Sequence, residues 1–373
     1  MLDPAVLRDR CAASEPLLIG LEEELMLLDA ETLDLAPRAR QLLARMDGDP
    51  RFKLELPAAQ IELITSPEHS VQAAAEQLAL GRADLAAAAA SDLLVASAGT
   101  HPFAAARGEL NDDEPYDGTR SEYGSLAERQ LVFGLHVHVS IGDADAAVAV
   151  HDALRSYLPE IAALAANAPF HDGVDSGLAS MRPKIAELLP RQGVPPAIGS
   201  LEAYAQALQW GQRSGTIPNP RRWWWGLRLH PDYGTVEVRV PDAQTTVGES
   251  AAIAAIVHAL VADLSERRGA GEKPAVAPVW RIEENCWSAC RYGVAGQMAD
   301  LETGTPEPTA QRLTRLLDDL GPYAQRLGGA AALATARDML EAGGPAAAQR
   351  TVRTRGGDLR DVVATLAERF GAG

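Results

Sequence analysis

Strict alternation of apolar and polar positions marks the segment from Leu131 to Ile141 as a strand. All the odd positions of this segment are apolar, and the even positions include His136 and His138. A period of two residues is typical of a β-strand that buries one face and leaves the other polar. The pattern therefore predicts a strand with two imidazoles on its polar face.

Two further segments show the same period. In the run Leu17–Leu28 it places Glu22 and Glu24 on one face, although Glu23 then falls on the otherwise apolar face, for which the sequence offers no reason. In Gly234–Val240, valines occupy one face, and the opposite face carries Thr235, Glu237 and Arg239. Both segments are predicted strands that carry paired polar groups.

Shorter strands and several helices complete the predicted elements. Shorter strands are expected at Phe52–Leu56, Gln60–Thr65, Leu93–Ser97 and Trp223–Leu229. Pro57 should end the first of them, and the Pro231–Gly234 turn should join the last to the Gly234 strand as a hairpin. Helical patterns cover Val71–Ser91, Ala144–Ala166, Leu201–Arg213, Gly248–Arg267 and Ile282–Tyr292, and helices alone follow from about Pro308. This mixed order predicts an α+β fold with an antiparallel sheet.

Composition limits the classes of binding partner that this protein is expected to have. The 373 residues carry 51 acidic and 34 basic side chains, a net charge of −17, which disfavours nucleic acid and membrane surfaces and favours metal cations. Only three of the basic residues are lysines, so phosphate binding would rest mostly on arginine. Three cysteines do not form a disulfide framework, and a metal or redox site at Cys286 and Cys290 is disfavoured because no histidine is nearby. We expect a soluble, cytoplasmic protein, since the sequence begins without a signal-peptide pattern.

The paired polar groups are the strongest chemical signal. The sequence contains neither a phosphate-binding loop nor a dinucleotide fingerprint. Taken alone, each polar strand face is best explained as the solvent-exposed side of an antiparallel sheet. Three such faces together, one of them with His-x-His, favour cations held between carboxylates, because a buried carboxylate is costly unless it is paired. Carboxylate oxygens with an imidazole suit Mg²⁺ or Mn²⁺.

Several ordered motifs resemble the type 2 glutamate–cysteine ligase family, the carboxylate–amine ligases of the glutamine synthetase-like superfamily. The motifs span about residues 15–295 and read IGLEEELML from Ile19, AAQIELIT from Ala58, AGTHPF from Ala98, FGLHVHVS from Phe133, NAPFHDGVDSGLASMRP from Asn167, YGTVEVRVPD from Tyr233 and ACRYGV from Ala289. The resemblance implies a curved antiparallel sheet whose concave face holds ATP, glutamate and two or more divalent ions. It implies one catalytic domain over residues 1–373, with residues 296–373 as a helical C-terminal extension packed on it.

The resemblance also implies roles for individual residues. The implied metal ligands are Glu22, Glu24, Glu55, Glu62, His136 and Glu237. His138 is expected beside the nucleotide or a metal, and Arg239 at the transferred phosphate. Arg182 and Arg291 are similar to family arginines near the phosphates or the carboxylate substrate. The implied catalytic set is Arg239, Glu237 and Arg182, and the implied nucleotide-binding set is His138, Arg291 and Arg239.

The chain departs from the family pattern at three places near a predicted substrate wall. Gly226 stands where the family usually has Asp, and Cys286 and Ser288 stand where it usually has basic residues. Three hypotheses follow: a ligase that joins glutamate to cysteine, a ligase of the same mechanism with another amine or carboxylate, and a non-catalytic metal- or nucleotide-binding relative. The segments 105–123 and 167–182 are candidate lids, although the first also reads as a solvated surface loop. A homo-oligomer is compatible with the sequence.

Overall fold

A computed structural model describes residues 3–89, 92–112, 114–217 and 219–371. These residues form a mixed α+β fold, in which an antiparallel sheet of seven strands packs its apolar face on helices. The α+β class predicted from the alternation pattern is confirmed.

The sheet has the strand order β2-β3-β1-β5-β9-β8, with β4 also paired to β1, and all of these pairs are antiparallel. Two small hairpins, β6–β7 and β10–β11, lie outside it. The strands are β1 (Ile19–Asp29), β2 (Phe52–Leu54), β3 (Gln60–Ile64), β4 (Leu93–Ala96), β5 (Leu135–Ser140), β6 (Phe170–His171), β7 (Val174–Asp175), β8 (Leu227–Leu229), β9 (Thr235–Val238), β10 (Gln297–Ala299) and β11 (Pro306–Pro308).

The helices carry most of the remaining described residues. They are α1 (Pro4–Ala12), α2 (Ala39–Arg45), α3 (Val71–Ala89), α4 (Glu114–Tyr123), α5 (Ala144–Leu154), α6 (Leu158–Ala165), α7 (Arg182–Ala186), α8 (Leu201–Ser214), α9 (Val247–Gly269), α10 (Val279–Tyr292), α11 (Thr309–Arg326), α12 (Ala330–Glu341), α13 (Pro345–Thr354) and α14 (Leu359–Phe370). Short 3₁₀ turns occupy Gly124–Arg129, Arg155–Tyr157, Pro220–Arg222 and Gly293–Ala295.

Strand β1 lies at the centre of the sheet and shows how the fold separates core from site. Its first half alternates in burial, with Ile19, Leu21 and Leu25 fully covered and Glu22 and Glu24 partly open. The apolar side joins the main hydrophobic cluster with helices α3, α5 and α9. The opposite side of β1, β5 and β9 therefore remains for polar groups.

A buried ion pair explains Glu23, which the sequence left unexplained. Arg82 of α3 donates to both oxygens of Glu23 at 2.8 Å, and Ser250 of α9 donates to Oε1 at 2.5 Å. Arg82 also donates to the carbonyls of Gln244 and Thr245. Since every charge in this pair has a partner, Glu23 can occupy the core face of β1.

Helix α9 is the core helix of the protein. Thr246 and Glu249 form a reciprocal capping box that fixes its N-terminus. It is the one helix among the described residues that is long and apolar enough to cross a membrane, yet 89% of its apolar window is buried inside the protein. A helix that is apolar all round and buried to this extent belongs to the core of the fold.

Several predicted boundaries were wrong. The helix predicted for Ala144–Ala166 is split into α5 and α6 by a 3₁₀ turn, because Pro159 lacks the N–H that a continuous helix needs. Within the strand predicted for Leu131–Ile141, regular pairing begins at Leu135, since Phe133 bonds to the loop residues Gly99 and Ala243 instead. The strand predicted for Trp223–Leu229 is confined to β8.

Two segments treated as loops contain regular structure. The second half of segment 105–123 is helix α4, which begins at Glu114. Asp113, the residue before it, lies outside the described residues. The segment 167–182 contains the β6–β7 hairpin. The last two residues of the predicted helix Val71–Ser91, residues 90 and 91, also lie outside the described residues.

Candidate functional site

The register of the central strands brings the paired polar groups together on one face. Glu22 of β1 lies opposite His136 of β5, and His138 lies opposite Glu237 of β9. On the other side of β1, Glu24 lies opposite Glu62 of β3. Side chains that are opposite on one sheet face are close neighbours, so the predicted groups form one cluster.

Two triplets in this cluster can each hold a metal ion, and they share Glu22. One triplet is Glu22, Glu62 and His136, and the other is Glu22, His138 and Glu237. Within each triplet, the potential ligand atoms lie within 4.8 Å of one another. Glu22 Oε2 is 3.1 Å from His136 Nδ1, and Glu22 Oε1 is 3.3 Å from His138 Nε2.

Glu24 and Glu55 lie at the edge of these triplets. Glu24 accepts a hydrogen bond from the backbone N–H of Gly134, and its other oxygen is 3.8 Å from His136 Nε2. Gly134 is needed here, because a Cβ at this position would collide with the guanidinium of Arg182 and contact Glu24. Glu55 follows β2, in the link that leads to β3, and its charge interacts with that of Glu24.

The carboxylates raise one another's affinity for protons. Burial and the charge of Glu24 raise the pKa of Glu55 to about 7. Burial and the charges of Glu22 and Glu55 raise the pKa of Glu62 well above its ordinary value. Lys53 offsets this weakly, since its ammonium is 3.9 Å from Glu62 and half exposed. The cluster thus holds more negative charge than the nearby side chains neutralise.

Two carboxylates of the cluster are held ionised. Burial alone would raise the pKa of Glu22, but the imidazoles of His138 and His136 outweigh it, and the pKa is well below the ordinary value. Burial likewise opposes ionisation of Glu237, and Arg228, His138 and Arg239 outweigh it. Glu237 is fully buried, and Arg239 donates to its Oε1 at 2.6 Å. A cation that uses Glu237 must share this oxygen with Arg239.

The two histidines have different surroundings, as their separate predicted roles require. Burial and the charge of Arg239 lower the pKa of His136, which favours the neutral imidazole that binds metals. Burial also opposes the charged form of His138, but Glu237 and Glu22 outweigh it and raise its pKa. His138 Nδ1 is 2.9 Å from Thr235 Oγ1, and the rings of His230 and Tyr233 lie beside it at 5.8 and 5.9 Å.

The donor set fits a divalent cation. Within the described part of the chain, the buried Nε2 atoms of His136 and His138 form no hydrogen bond, although Glu22 Oε1 lies 3.3 Å from the latter. Buried polar atoms are normally satisfied, so an imidazole nitrogen without a hydrogen bond beside mutually repelling carboxylates fits a positive ligand. Oxygen ligands with one imidazole are typical of Mg²⁺ or Mn²⁺ sites.

The three arginines predicted for the site, Arg182, Arg239 and Arg291, lie at different distances from the cluster. Arg239 contacts Glu237 and His136 in the centre of the cluster. Arg182 lies beside the cluster, where its guanidinium donates to the carbonyl of Arg239 at 3.3 Å, and burial lowers its pKa. Arg291 lies elsewhere: it donates to the carbonyl of Gly177, and its guanidinium stacks near Tyr292. The structure therefore does not bring Arg291 into the cluster.

A cavity of about 510 Å³ opens beside the cluster and continues away from it. Glu24, Arg182 and Arg239 line its inner end, together with Asp242. Gly226 and Cys286, two of the three departures from the family pattern, also line this cavity. The predicted substrate wall is thus a wall of this cavity.

Three residues of the site were not predicted as such. Arg228 forms a two-point ion pair with Glu237, which it faces across the β8–β9 hairpin. Thr235 orients His138, and buried Asp242 accepts from Ser180 and from the backbone of Asn167. Burial raises the pKa of Asp242 to about 6. The hairpin prediction carried a signal for Arg228, since it places residue 228 opposite residue 237.

The candidate lids pack at the borders of the site. The side chain of Asn111 donates to the carbonyl of Glu55, and the hydroxyl of Tyr116 donates to that of Leu54, which holds segment 105–123 beside the Glu55 link. Segment 167–182 is anchored through Asn167 and contributes Ser180 and Arg182 to the cavity.

The two C-terminal cysteines have the character of inert, apolar groups. Burial raises the pKa of Cys290 to about 12 and also raises that of Cys286. Thiols that stay protonated are poor metal ligands and nucleophiles. His101 is equally inert, because both ring nitrogens have backbone partners, and burial lowers its pKa to about 4.

Comparison with known proteins gives a family and a fold. The family model described as glutamate–cysteine ligase family 2 matches residues 18–365. A protein of Rubrobacter xylanophilus named "Putative glutamate--cysteine ligase 2-3" is 36% identical over 364 residues, which cover 96% of this chain and 98% of that protein. A protein of Thermobifida fusca with the same kind of name is 34% identical and covers 95% of this chain and 91% of its own length.

Solved structures agree on the fold. The glutamate–cysteine ligase of Francisella tularensis in complex with AMP matches with a TM-score of 0.70 and 14% identity, over 95% of this chain and 89% of that one. A bifunctional glutathione synthetase of Pasteurella multocida matches with a TM-score of 0.67 and 14% identity, over 100% of this chain and 55% of that one.

Proposed function

The chain belongs to the glutamate–cysteine ligase family 2 and is an ATP-dependent ligase of that type, and from this premise we propose the reaction that its site performs. The proposed reaction activates the γ-carboxylate of glutamate with ATP, in the presence of Mg²⁺, as an acyl phosphate. An amine then displaces the phosphate to give an amide, ADP and phosphate.

The mutual repulsion of the carboxylates is the observation that carries this proposal. Glu22 and Glu62 lie on the sheet, Glu55 lies in the link beside them, and Glu55 and Glu62 hold protons more tightly than ordinary glutamates. Bound divalent cations would relieve this repulsion and would use the Nε2 atom of His136, which forms no hydrogen bond. We assign this role to Mg²⁺, with Mn²⁺ as an alternative, held by Glu22, Glu24, Glu55, Glu62, His136 and Glu237.

The arginines supply the remaining positive charge. Mg²⁺ held by the carboxylates and His136 would supply positive charge to the phosphates during phosphoryl transfer. Arg239, at the centre of the cluster, and Arg182, beside it, stabilise the transferring phosphoryl group and the substrate carboxylate. Glu237 positions Arg239 through the hydrogen bond between them. Arg291 stays a prediction for the phosphate site, although its present contacts lie with Gly177.

The surroundings of His138 support a nucleotide on that side of the cluster. The rings of His230 and Tyr233 stack on each other at 4.2 Å next to His138, and Tyr233 is half exposed. Stacked aromatic rings at the surface suit a nucleobase, whose phosphates would then point toward Arg239. The donor and acceptor substrates would approach from the opposite end, where the cavity opens.

The amine must lose a proton as it attacks the acyl carbon. In this step a C–N bond forms, the C–O bond to phosphate breaks, and phosphate leaves with the electron pair. Asp242 lines the cavity and has a pKa of about 6, so its carboxylate is a suitable acceptor for this proton at neutral pH. The segments 105–123 and 167–182 are proposed to exclude water, which would otherwise hydrolyse the acyl phosphate.

Two acceptors are open for the second step. Cysteine is the acceptor in the names of the relatives. A different amine is favoured by the cavity, whose wall carries the departures Gly226 and Cys286. The third hypothesis, a non-catalytic relative, has less support, because a suitable side chain stands at every proposed ligand position.

We further propose that the whole chain acts as one catalytic domain in the cytoplasm. Leu313, Leu317 and Leu333 of the C-terminal helices belong to the same hydrophobic cluster as the sheet, which supports this assignment. Small molecules are the proposed partners, and a homo-oligomer remains compatible with the chain.

Trapping the acyl phosphate tests the proposal independently of the acceptor. Hydroxylamine reacts with acyl phosphates to give hydroxamates that are detected by mass spectrometry. We expect hydroxamate and ADP to form only when Mg²⁺, ATP and glutamate are all present. Absence of hydroxamate with glutamate and with a panel of other carboxylates would refute the proposed reaction.

A further inference from the structure

The outer wall of the 510 Å³ cavity combines two indole rings and aliphatic side chains with a few charged ones. We propose that this wall takes an acceptor amine with an apolar, preferably aromatic, body and no carboxylate, of the arylalkylamine class. The proposal rests on the ligase reaction proposed above and names its second substrate. The amine's nitrogen would reach the acyl carbon at the inner end, where Arg182 and Arg239 stand.

Two indole rings give the wall its aromatic character. Trp224 and Trp287 both line the cavity, and Trp287 is 47% exposed although a polar residue would be less costly there. Val194 adds aliphatic surface, and Cys286 adds an uncharged thiol. Apolar pockets of about 300–1,000 Å³ are typical of sites for drug-sized ligands, whereas cysteine offers only a methylene and a thiol to such a wall.

The charges in the cavity argue against a carboxylate on the acceptor. The lining cations are Arg182, Lys184 and Arg239. The two arginines stand at the inner end, which the donor carboxylate and its phosphate require. Lys184 is paired with Glu187, whose two oxygens it contacts at 2.7 Å, and its ammonium lies 5.8 Å from the ring centre of Trp287. An amino acid acceptor would bring a carboxylate to the outer wall, where it would compete with Glu187 for this one lysine.

The outer wall instead carries acidic side chains, which repel a carboxylate on the acceptor. Glu187, which is paired with Lys184, and the exposed Glu283 line it. Arg191, which lies 5.6 Å from the ring centre of Trp224, does not line the cavity. The same acidic residues repel phosphate, so the nucleotide is a poor occupant of this end. An amine with an apolar body is the ligand that matches both the rings and the charge.

Matched amine pairs test the proposal directly. Phenethylamine and phenylalanine differ only in the carboxylate, as do tyramine and tyrosine. With Mg–ATP and the carboxylate that gives hydroxamate, we expect kcat/KM for each amine to exceed that for its amino acid, and for cysteine, at least tenfold. Equal or higher kcat/KM for cysteine or for the amino acids would overturn the proposal while leaving the ligase reaction intact. Failure of hydroxamate formation would instead remove the reaction on which the proposal rests.

Variants on helix α10 separate the cavity wall from the rest of the helix. Trp287→Ala should raise KM for phenethylamine at least tenfold. Trp280→Ala, on the same helix and 62% exposed but outside the cavity, is the matched control and should leave this KM unchanged. If both substitutions changed KM for phenethylamine equally, or if neither changed it, Trp287 would not bind the acceptor and the proposal would be overturned.

A charge introduced at the wall should reverse the preference. Cys286→Arg adds an unpaired cation to the wall, so it should lower the phenethylamine-to-phenylalanine ratio of kcat/KM at least tenfold. Cys286→Ser controls for loss of the thiol, and circular dichroism checks folding. Should Cys286→Arg fail to fold, Glu283→Gln with Glu284→Gln as its control gives the second measurement: only the former should lower this ratio, and an equal ratio in both variants would contradict the proposal. An unchanged ratio in a folded Cys286→Arg protein would contradict the proposal.

Discussion

Two neighbouring carboxylates of strand β1, Glu22 and Glu23, point to opposite faces of one sheet and live in opposite electrostatic conditions. On the core face, Glu23 has two hydrogen bonds from Arg82 and one from Ser250, all supplied by the chain. On the polar face, Glu22 belongs to a group in which Glu55 and Glu62 hold their protons unusually tightly. The difference shows that one carboxylate with a complete set of partners serves the fold, whereas the polar face gathers several carboxylates that share a few partners.

The largest expected effect is on catalysis, from the polar face. Glu62→Gln removes a candidate metal ligand but mimics the protonated carboxyl that the raised pKa favours without metal. We expect kcat to fall at least about 100-fold, with the melting temperature unchanged or higher. Hydroxamate formation and thermal unfolding measure the two quantities. A stable variant with full activity would remove Glu62 from the site.

On the core face of β1, a substitution should lower the stability of the protein rather than its activity. Arg82→Met leaves the Glu23 carboxylate buried without its charge partner, which we expect to cost about 3–5 kcal/mol in the free energy of unfolding. Urea denaturation measures this. The double variant with Glu23→Leu should recover most of the loss, because no lone charge then remains. A loss below about 1 kcal/mol for Arg82→Met would show that this pair does not hold α3 on the sheet.

The smallest expected effect is a pH dependence of stability. The pKa of Glu55 is about 7 in the folded protein against an ordinary 4.5, so the folded state keeps a proton that the unfolded chain releases. Its contribution to stability is present below pH 4.5 and is lost as the pH rises through about 7. Without metal, the melting temperature of the wild type should fall by a few degrees more than that of Glu55→Gln over this range.

Added Mg²⁺ should abolish this difference, because the cation replaces the proton on the carboxylate. Identical pH profiles of the two metal-free proteins would show that Glu55 titrates normally and does not share the electrostatic strain of the cluster.

The strands of the site were predictable because their pattern is local. Alternation alone located β1, β5 and β9, and it assigned Glu22, His136 and Glu237 to polar faces. Alternation could not give the extent of pairing, since the residues before Leu135 alternate equally well but bond to loops. Helix α4 was missed for the reverse reason: its sequence is polar throughout, so no apolar period marks it.

The remainder of the site depends on contacts that sequence does not encode locally. Arg228 becomes a site residue only through its register opposite Glu237, and Asp242 only through the loop that returns to it at Asn167. Arg291 illustrates the converse, because a motif suggested its role and the path of segment 167–182 gives it Gly177 as its partner. The partner of Glu23 likewise lies on α3, beyond the reach of any strand pattern.

The central position of β1 also has a consequence for folding during synthesis, because its partners emerge from the ribosome at different times. Strand β1 is synthesised early, yet Ser250, which completes the Glu23 pair, lies 227 positions further along. At about 5–20 residues per second, the ribosome needs tens of seconds or less to deliver that partner. Until its partner strands β3, β4 and β5 have also been made, β1 is an unpaired edge with an apolar side, the kind of segment that aggregates. Its three consecutive glutamates oppose such aggregation, so charges that later lie at the site and in the core first protect the nascent protein.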